Sequence, residues 1–306
     1  WRLPNVFWLN SSDLALQGAG ILGCVFSVFL FLGYRQKLSL TLLFFLYLSL
    51  FHAGQTFLTF QWDSLLLESG FLAIFLVGGP THLVIFLYHW LLFRLRLMSG
   101  ISKFVSNDPS WSNLTALNHY FETQPLPHIG AWYAHQLPEW LLKFGVLFTF
   151  FAELIVPFFI FLPRPFRLFA AATTLVAQSL IIATSNHNWV NLLTILLCLF
   201  LLDDRIVSAV LPTRLKSTIN KTSQISWGKK YLLPLAAVLI LTTSVSMYYR
   251  YATGGRLPTI VDEYVTLVRS WGIGHIYHIF PTMQTARHEL QVEGSVDGKE
   301  WRTYTF

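Results

Sequence analysis

The residues with the most chemical potential in this sequence are carboxylates set among apolar neighbours. The stretch QWDSLLLESGFLAIFL, Gln61 to Leu76, carries two of them, Asp63 and Glu68. On a continuous helix a separation of five residues turns the side chains about 140° apart, so they do not form an acid–base pair. Asp63 is expected as the helix N-cap, its carboxylate accepting from the free amides of the first turn, with Trp62 packing on Leu67 as a hydrophobic staple. Glu68 lies roughly 7 Å of helix rise further on, among Leu65, Leu66, Leu67, Phe71 and Leu72. An unpaired carboxylate there costs about 3 kcal/mol. It is expected to face protein and to find a partner among Arg94, Arg96, His89 and His52, either as a structural ion pair or as a functional acid.

Glu153, in FFAELIVPFF, is the second buried carboxylate. Pro157 cannot donate to its carbonyl, which predicts a kink, and a hydrogen bond between helices is the expected use of the acid. His52 and Gln55, three residues apart on one helix face, are expected to look into the same interior. With Glu68, His89, Arg94 and Glu153 they make a candidate buried polar cluster. Lys103 and Lys143 could each be desolvated into a base, Lys143 more readily because it falls inside an apolar segment, although a snorkelling lysine is the ordinary reading of both. The stretch SNHNWVN, Ser185 to Asn191, reads as a polar turn that caps two helix ends or lines a site entrance.

Ser99 to Trp140 is unusually aromatic and holds Trp111, Tyr120, Trp132, Tyr133 and Trp140. Such a run is expected to fold against the membrane surface or to meet a partner. His119, His128 and His135 are spaced too widely for a compact zinc pair, and the run has no Cys, so no metal site is expected. No other cofactor is called for.

These residues are carried by a chain whose composition is that of a membrane protein. Of 306 residues, 54% are hydrophobic and 12% charged, against about 25% charged in soluble domains. The net charge of +6 sits at segment ends and in short loops, which is membrane topology and excludes a nucleic-acid groove. The two cysteines, Cys24 and Cys198, lie in apolar runs and offer no disulfide framework. The fold class expected is an all-α polytopic membrane bundle of about eight transmembrane or re-entrant helices, followed by the start of a β-rich extramembrane domain. The segments are Leu14 to Leu32, Leu38 to Phe60, Leu65 to Val77 (short enough to be re-entrant), His82 to Met98, Leu137 to Phe161, Phe166 to Thr184, Trp189 to Leu202, and Tyr231 to Tyr249.

If all eight cross, Arg35, Lys37, Arg164, Arg167 and the basic residues from Arg205 to Lys230 share one side, which the positive-inside rule makes cytoplasmic. Residues 1–250 then form the transmembrane domain, with a large non-cytoplasmic loop at 99–136. Residues 251–306 open a non-cytoplasmic β-rich domain, read from an alternating pattern around Asp297-Gly298. With no initiator Met and an end inside a strand, the chain is expected to be a piece of a longer protein.

Several blocks resemble the lipase maturation factor family in the same order: FQWDSLLLESGFLAIF, LTALNHYFETQPLPHIGAWYAHQLPEW, FAELIVPFFIF and NHNWVNLLTILLCLFLLDD, with HIFPTMQTARHELQVEGSVDGKEWRTYTF near the end. The resemblance implies a multi-pass protein of the endoplasmic reticulum membrane, or of the inner membrane in a bacterial member. It also implies a role in folding and assembly of a protein client in contact with membrane lipids. A distant similarity to the membrane domain of vitamin K-dependent carboxylase supplies the alternative, a membrane-embedded enzyme on a lipid-like substrate. The resemblance transfers no catalytic residues.

Overall fold

The computed structural model describes residues 3–58, 60–126, 128–187, 189–210, 226–287 and 290–304. Among these, six helices are long and apolar enough to cross a membrane. They are α1 (Asp13–Phe31), α2 (Gln36–Gly54, extended by a 3₁₀ turn to Phe57), α4 (His82–Val105), α8 (Glu139–Phe150, continuing to Phe161), α9 (Arg164–Thr184) and α12 (Leu233–Thr253, entered through a π turn from Gly228). Three of them have a plain local reason to start where they do. The Ser12 hydroxyl accepts from the amide of Ala15, the Thr81 hydroxyl accepts from that of Val84, and Pro165 occupies the first turn of α9. Gly33, at φ +74°, supplies the left-handed step that folds α1 back on α2.

The expected third and seventh segments are shorter than a full span. The helix α3 (Gln61–Ala73) has 13 residues, about 20 Å of rise, and α10 (Val190–Cys198) has nine plus a three-residue 3₁₀ extension. Of the eight expected segments, six are thus membrane-length helices and two are short ones.

Between the spans lie the short helices α5 (Pro109–Ser112), α6 (Ala116–Glu122) and α7 (Ile129–His135), and α11 (Asp204–Val210) follows α10. An amphipathic helix, α13 (Thr259–Ser270), comes after α12. The expected hairpin is present as β1 (Glu293–Gly294) and β2 (Arg302–Thr303), antiparallel with Glu293 opposite Thr303. Residues 211–225, with Arg214, Lys216 and Lys221 of the expected basic loop, lie outside the described residues.

The axis of the bundle is α4. In its most apolar window 72% of residues are buried, whereas in α1 only 6% are, so α1 is a peripheral helix. Leu87, Leu91 and Leu92 of α4 pack with Leu65 and Leu72 of α3, Leu197 of α10 and Ile240 of α12. Dispersion and interhelical hydrogen bonds hold such a core together, because the surrounding lipid offers no hydrophobic gain.

The two ends of the bundle differ. At the N-terminal end of α4 the carbonyl of Gly79 accepts from Lys229, Phe86 meets Phe161, Arg164 pairs with Asp203, and Arg167 donates to the Leu201 carbonyl at 3.0 Å. At the other end His52 bonds the Ser270 carbonyl at 2.8 Å and Lys103 bonds that of Ile279 at 2.7 Å. Residues 259–287 therefore pack onto the bundle: Val265 of α13 and Ile276 sit against Met98 of α4 and Met247 of α12.

Candidate functional site

Two buried ion clusters hang from α4, and the chain segment 271–287 reaches both. The first is closed. Glu68 is completely buried; one carboxylate oxygen pairs with Arg94, and the other accepts from the Tyr277 hydroxyl at 2.9 Å and the Gly274 amide at 3.1 Å. Arg94 also donates to the His275 carbonyl at 2.6 Å, and its guanidinium lies 5.8 Å from the centre of the Tyr277 ring. Gly274 is required here: its φ is +72°, and a Cβ would meet Thr243 at 3.0 Å. The partner expected for Glu68 is thus Arg94, and neither His52 nor His89 touches it.

The second cluster is open. Glu153 pairs with Lys103 at 2.8 Å, while Arg96 stands 3.7 Å away, beyond hydrogen-bond length. Lys103 is saturated: it donates to Glu153, to the Ser99 carbonyl at 3.1 Å and to the Ile279 carbonyl at 2.7 Å, over the Trp111 ring at 5.3 Å. Arg96 is not, and among the described residues its buried Nε meets no acceptor. Glu153 is placed by a π turn, Phe151–Ile155, which leads into a 3₁₀ turn holding Pro157, so the ladder breaks where the missing proline N–H predicted.

Beside this cluster is a cavity of about 380 Å³. Arg96, Lys103 and Glu153 line it together with Gln178, Asn191 and Thr194, and the remaining wall is mainly apolar. Tyr120 bonds the Ser185 hydroxyl at 2.6 Å and also His187, closing one side. His278 and Gln61, which bond each other, close another. Burial holds the His187 imidazole below its ordinary pKa and pushes the Tyr120 phenol up; burial and then nearby Arg269 lower His278. These groups are therefore neutral at pH 7. Asp108 resists its own partial burial, because the amides of Met283 and Ser110 donate to it and hold it ionised.

Several expectations need correction. Asp63 is not the N-cap. Phe60 holds that place, and Asp63, at the third helical position, reaches back to the Phe60 amide at 3.3 Å while accepting from Tyr47 at 2.6 Å. The polar pull of Asp63 starts the helix earlier than its own position. Trp62 stacks on Phe60 at 4.5 Å instead of stapling to Leu67. The single polar cluster does not form: Gln55 is exposed at the end of α2, His52 bonds Ser270, and His89 bonds the Phe200 carbonyl at 2.7 Å. The two lysines exchange roles, with Lys103 buried and Lys143 on the surface, bonded to Glu139 one turn away at 2.6 Å. The turn at 185–191 is wall more than cap, since Trp189 caps α10 without a side-chain bond.

The aromatic run also divides. Trp111 is buried against Phe150, and Tyr120 faces the cavity. Trp132 and Tyr133 are each 63% exposed. His135 pairs with Glu122 at 2.9 Å, and the His128 ring accepts from Gly130 to cap α7. With His119 they form no metal-sized group among the described residues. Tyr277, Gly274 and Gln178 were missed by the sequence reading. The run WGIGHIYHIF, too apolar for a solvated linker and broken by two glycines, was the available signal for the first two.

Comparison with known proteins places this architecture. The family described as the lipase maturation factor transmembrane domain matches residues 1–209, which include the side chains of both ion clusters on α4 that carry opposite charges. Lipase maturation factor 2 of Xenopus laevis is 44% identical over 224 residues, 66% of this chain and 31% of that protein. Lipase maturation factor 2 of Homo sapiens is 38% identical over 269 residues, 79% of this chain and 37% of that protein. Lipase maturation factor 1 of Bos taurus is 34% identical over 239 residues, 72% and 42% of the two chains. The chain thus spans about a third of the length of these relatives. No solved structure matches it. With six membrane-length helices and a family match across most of its length, the chain is a multi-pass membrane protein that belongs to the lipase maturation factor family.

Proposed function

We propose that this chain holds a protein client during its maturation, and that the loop at 99–136 and the residues after 250 supply the contact surface. Relatives named for lipase maturation point to lipases as the client class. The observation that carries the reading is the outward face of α7 and the start of α8. There Trp132, Tyr133 and Trp140 are each more than 60% exposed beside exposed Ile129 and Leu126, above a bundle whose sharpest acid, Glu68, is sealed from any substrate. Aromatic side chains with an apolar body and a polar tip are the residues that anchor protein interfaces.

The same reading places this surface on the lumenal or periplasmic side, in an endoplasmic reticulum membrane or, in a bacterium, the inner membrane. The arrangement of the two ends supports it. Lys37, Arg164, Arg167, Arg205, Lys229 and Lys230 belong to one end, as the positive-inside rule requires of the cytoplasmic side. Arg94 and Arg96, which break that pattern in the sequence, are buried inside the bundle and carry no topological weight. On this view α3 and α10 complete eight traversals despite their length, and residues 251–306 begin the extramembrane domain, with 259–287 docked on the membrane part.

The test keeps the chain whole. Trp132→Ala with Tyr133→Ala should lower co-purification of a lipase client and the yield of active secreted lipase at least fivefold, with the factor still membrane-inserted at normal level. Unchanged client yield would overturn the proposed surface. In a background lacking Cys24 and Cys198, single cysteines at Arg205 and Ser295 should label from opposite sides; labelling from the same side would overturn the topology.

A further inference from the structure

The cavity beside Glu153 has a charge imbalance that the fold does not resolve. Its charged lining is two cations, Arg96 and Lys103, and one carboxylate, Glu153. One carboxylate oxygen bonds Lys103, the other stands 3.7 Å from Arg96 with no hydrogen bond between them, and Lys103 has no donor to spare after Ser99, Glu153 and Ile279. Arg96 is 6% exposed and faces the cavity with its Nε unbonded among the described residues. The amide oxygen of Gln178 and the indole Nε1 of Trp111, both on the same wall, are likewise without a partner there. A buried guanidinium is costly unless an anion meets it, and its planar fork matches carboxylate and phosphate oxygens two at a time.

The rest of the lining selects the kind of anion. Trp62, Leu95, Leu117, Ile181 and Phe280 make most of the wall apolar, so a small inorganic ion would leave that surface unfilled. At about 380 Å³ the space lies within the range of small-molecule sites. Arg96 is nine residues before the end of α4, roughly 14 Å inside the helix terminus, so a ligand reaching it is held at membrane depth. We infer that the cavity binds a single-chain amphiphile, with its anionic head, a carboxylate or a phosphate, on Arg96 and its hydrocarbon against this apolar wall. The inference does not depend on a client protein, and it assigns the cavity to a lipid instead of to catalysis.

Photolabelling of the full chain in phosphatidylcholine nanodiscs tests it, with a diazirine-bearing palmitate as probe and peptide mapping as readout. The label is expected on peptides holding Trp111, Leu117, Ile181 or Phe280. Palmitate or hexadecyl phosphate should displace it at least tenfold better than hexadecanol, and acetate and inorganic phosphate should not displace it at matched concentration. Displacement by palmitate but not by the alkyl phosphate identifies a carboxylate head, the reverse a phosphate head, and either supports the site. Arg96→Met should cut labelling of these peptides at least tenfold. The competition series needs no substitution, so it decides the matter even if that variant folds poorly. Equal displacement by hexadecanol, equal displacement by acetate or inorganic phosphate, or labelling confined to other peptides would each overturn the inference, as would undiminished labelling in a folded Arg96→Met.

Discussion

Arg94 and Arg96 are two residues apart on one helix and both buried, yet they do different things. Arg94 meets a carboxylate whose other oxygen is filled by a tyrosine and a backbone amide, and it also donates to the His275 carbonyl, so that only its Nε is without an acceptor among the described residues. Arg96 faces a cavity and shares its carboxylate with another cation, which holds the shorter contact, 2.8 Å against 3.7 Å. A buried charge becomes structural when the chain satisfies it and site-like when the chain does not. Burial alone does not separate the two cases; the inventory of partners does.

The largest test of this contrast removes the segment that satisfies Arg94. A chain ending at Arg250 would lose the Tyr277 and Gly274 donors to Glu68 and the Ile279 acceptor of Lys103, and it should fail to accumulate as a folded membrane protein. A chain ending at Arg287 should accumulate normally. Expression followed by size-exclusion chromatography in detergent separates the outcomes, and a well-folded chain ending at Arg250 would show that the closed cluster is not structural.

Next in size is Arg94→Met, which leaves Glu68 buried without its counter-charge. It should cost about 3–5 kcal/mol in thermal unfolding. Tyr277→Phe, which removes one hydrogen bond to the charged acid, should cost about 1.5–3 kcal/mol. Arg96→Met sharpens the comparison from the other side. The change should cost less than about 1 kcal/mol or should stabilise, because it removes a buried cation whose carboxylate neighbour stands beyond hydrogen-bond length. A loss as large as that of Arg94→Met would erase the distinction drawn between the two.

The last test is a pH dependence, graded by how far the pH is lowered. Burial, with Arg269 and then Arg94 nearby, lowers the folded pKa of His275 to about 3, from an ordinary 6.5. Between those values the unfolded chain binds a proton that the folded chain does not. The stabilisation is therefore complete above about pH 6.5 and is lost as pH falls below it, by at most about 1.4 kcal/mol per pH unit. Melting temperatures from pH 7.5 to 5 should fall, and His275→Asn should flatten that slope.

What could be read from sequence follows the range of the forces involved. Apolar runs reported the long helices because crossing hydrocarbon demands them, and the acid inside QWDSLLLESG announced a basic partner because an isolated charge there is so unfavourable. The Lys103 and Lys143 exchange came from segment ends. The expected fourth segment stopped at Met98, whereas α4 runs to Val105 and carries Ser99, Ser102 and Lys103 into the interior. Lys143 belongs to the early turns of α8, which starts at Glu139 and leaves it on the surface. Tyr277 was out of reach altogether: it is 209 residues from Glu68 in the chain, and no local pattern relates the two.

That separation has a consequence for biosynthesis. Glu68 and Arg94 leave the ribosome with α3 and α4, but the hydroxyl and amide that complete their shell arrive only after α12 and α13 have been made. While the chain between Arg94 and Gly274 is being made, the acid has one partner and two open lone-pair positions, a polar defect in the middle of an apolar bundle. The centre of this bundle is finished by residues synthesised after α12 and α13, so completion of the core reports that the chain has been read through to Tyr277.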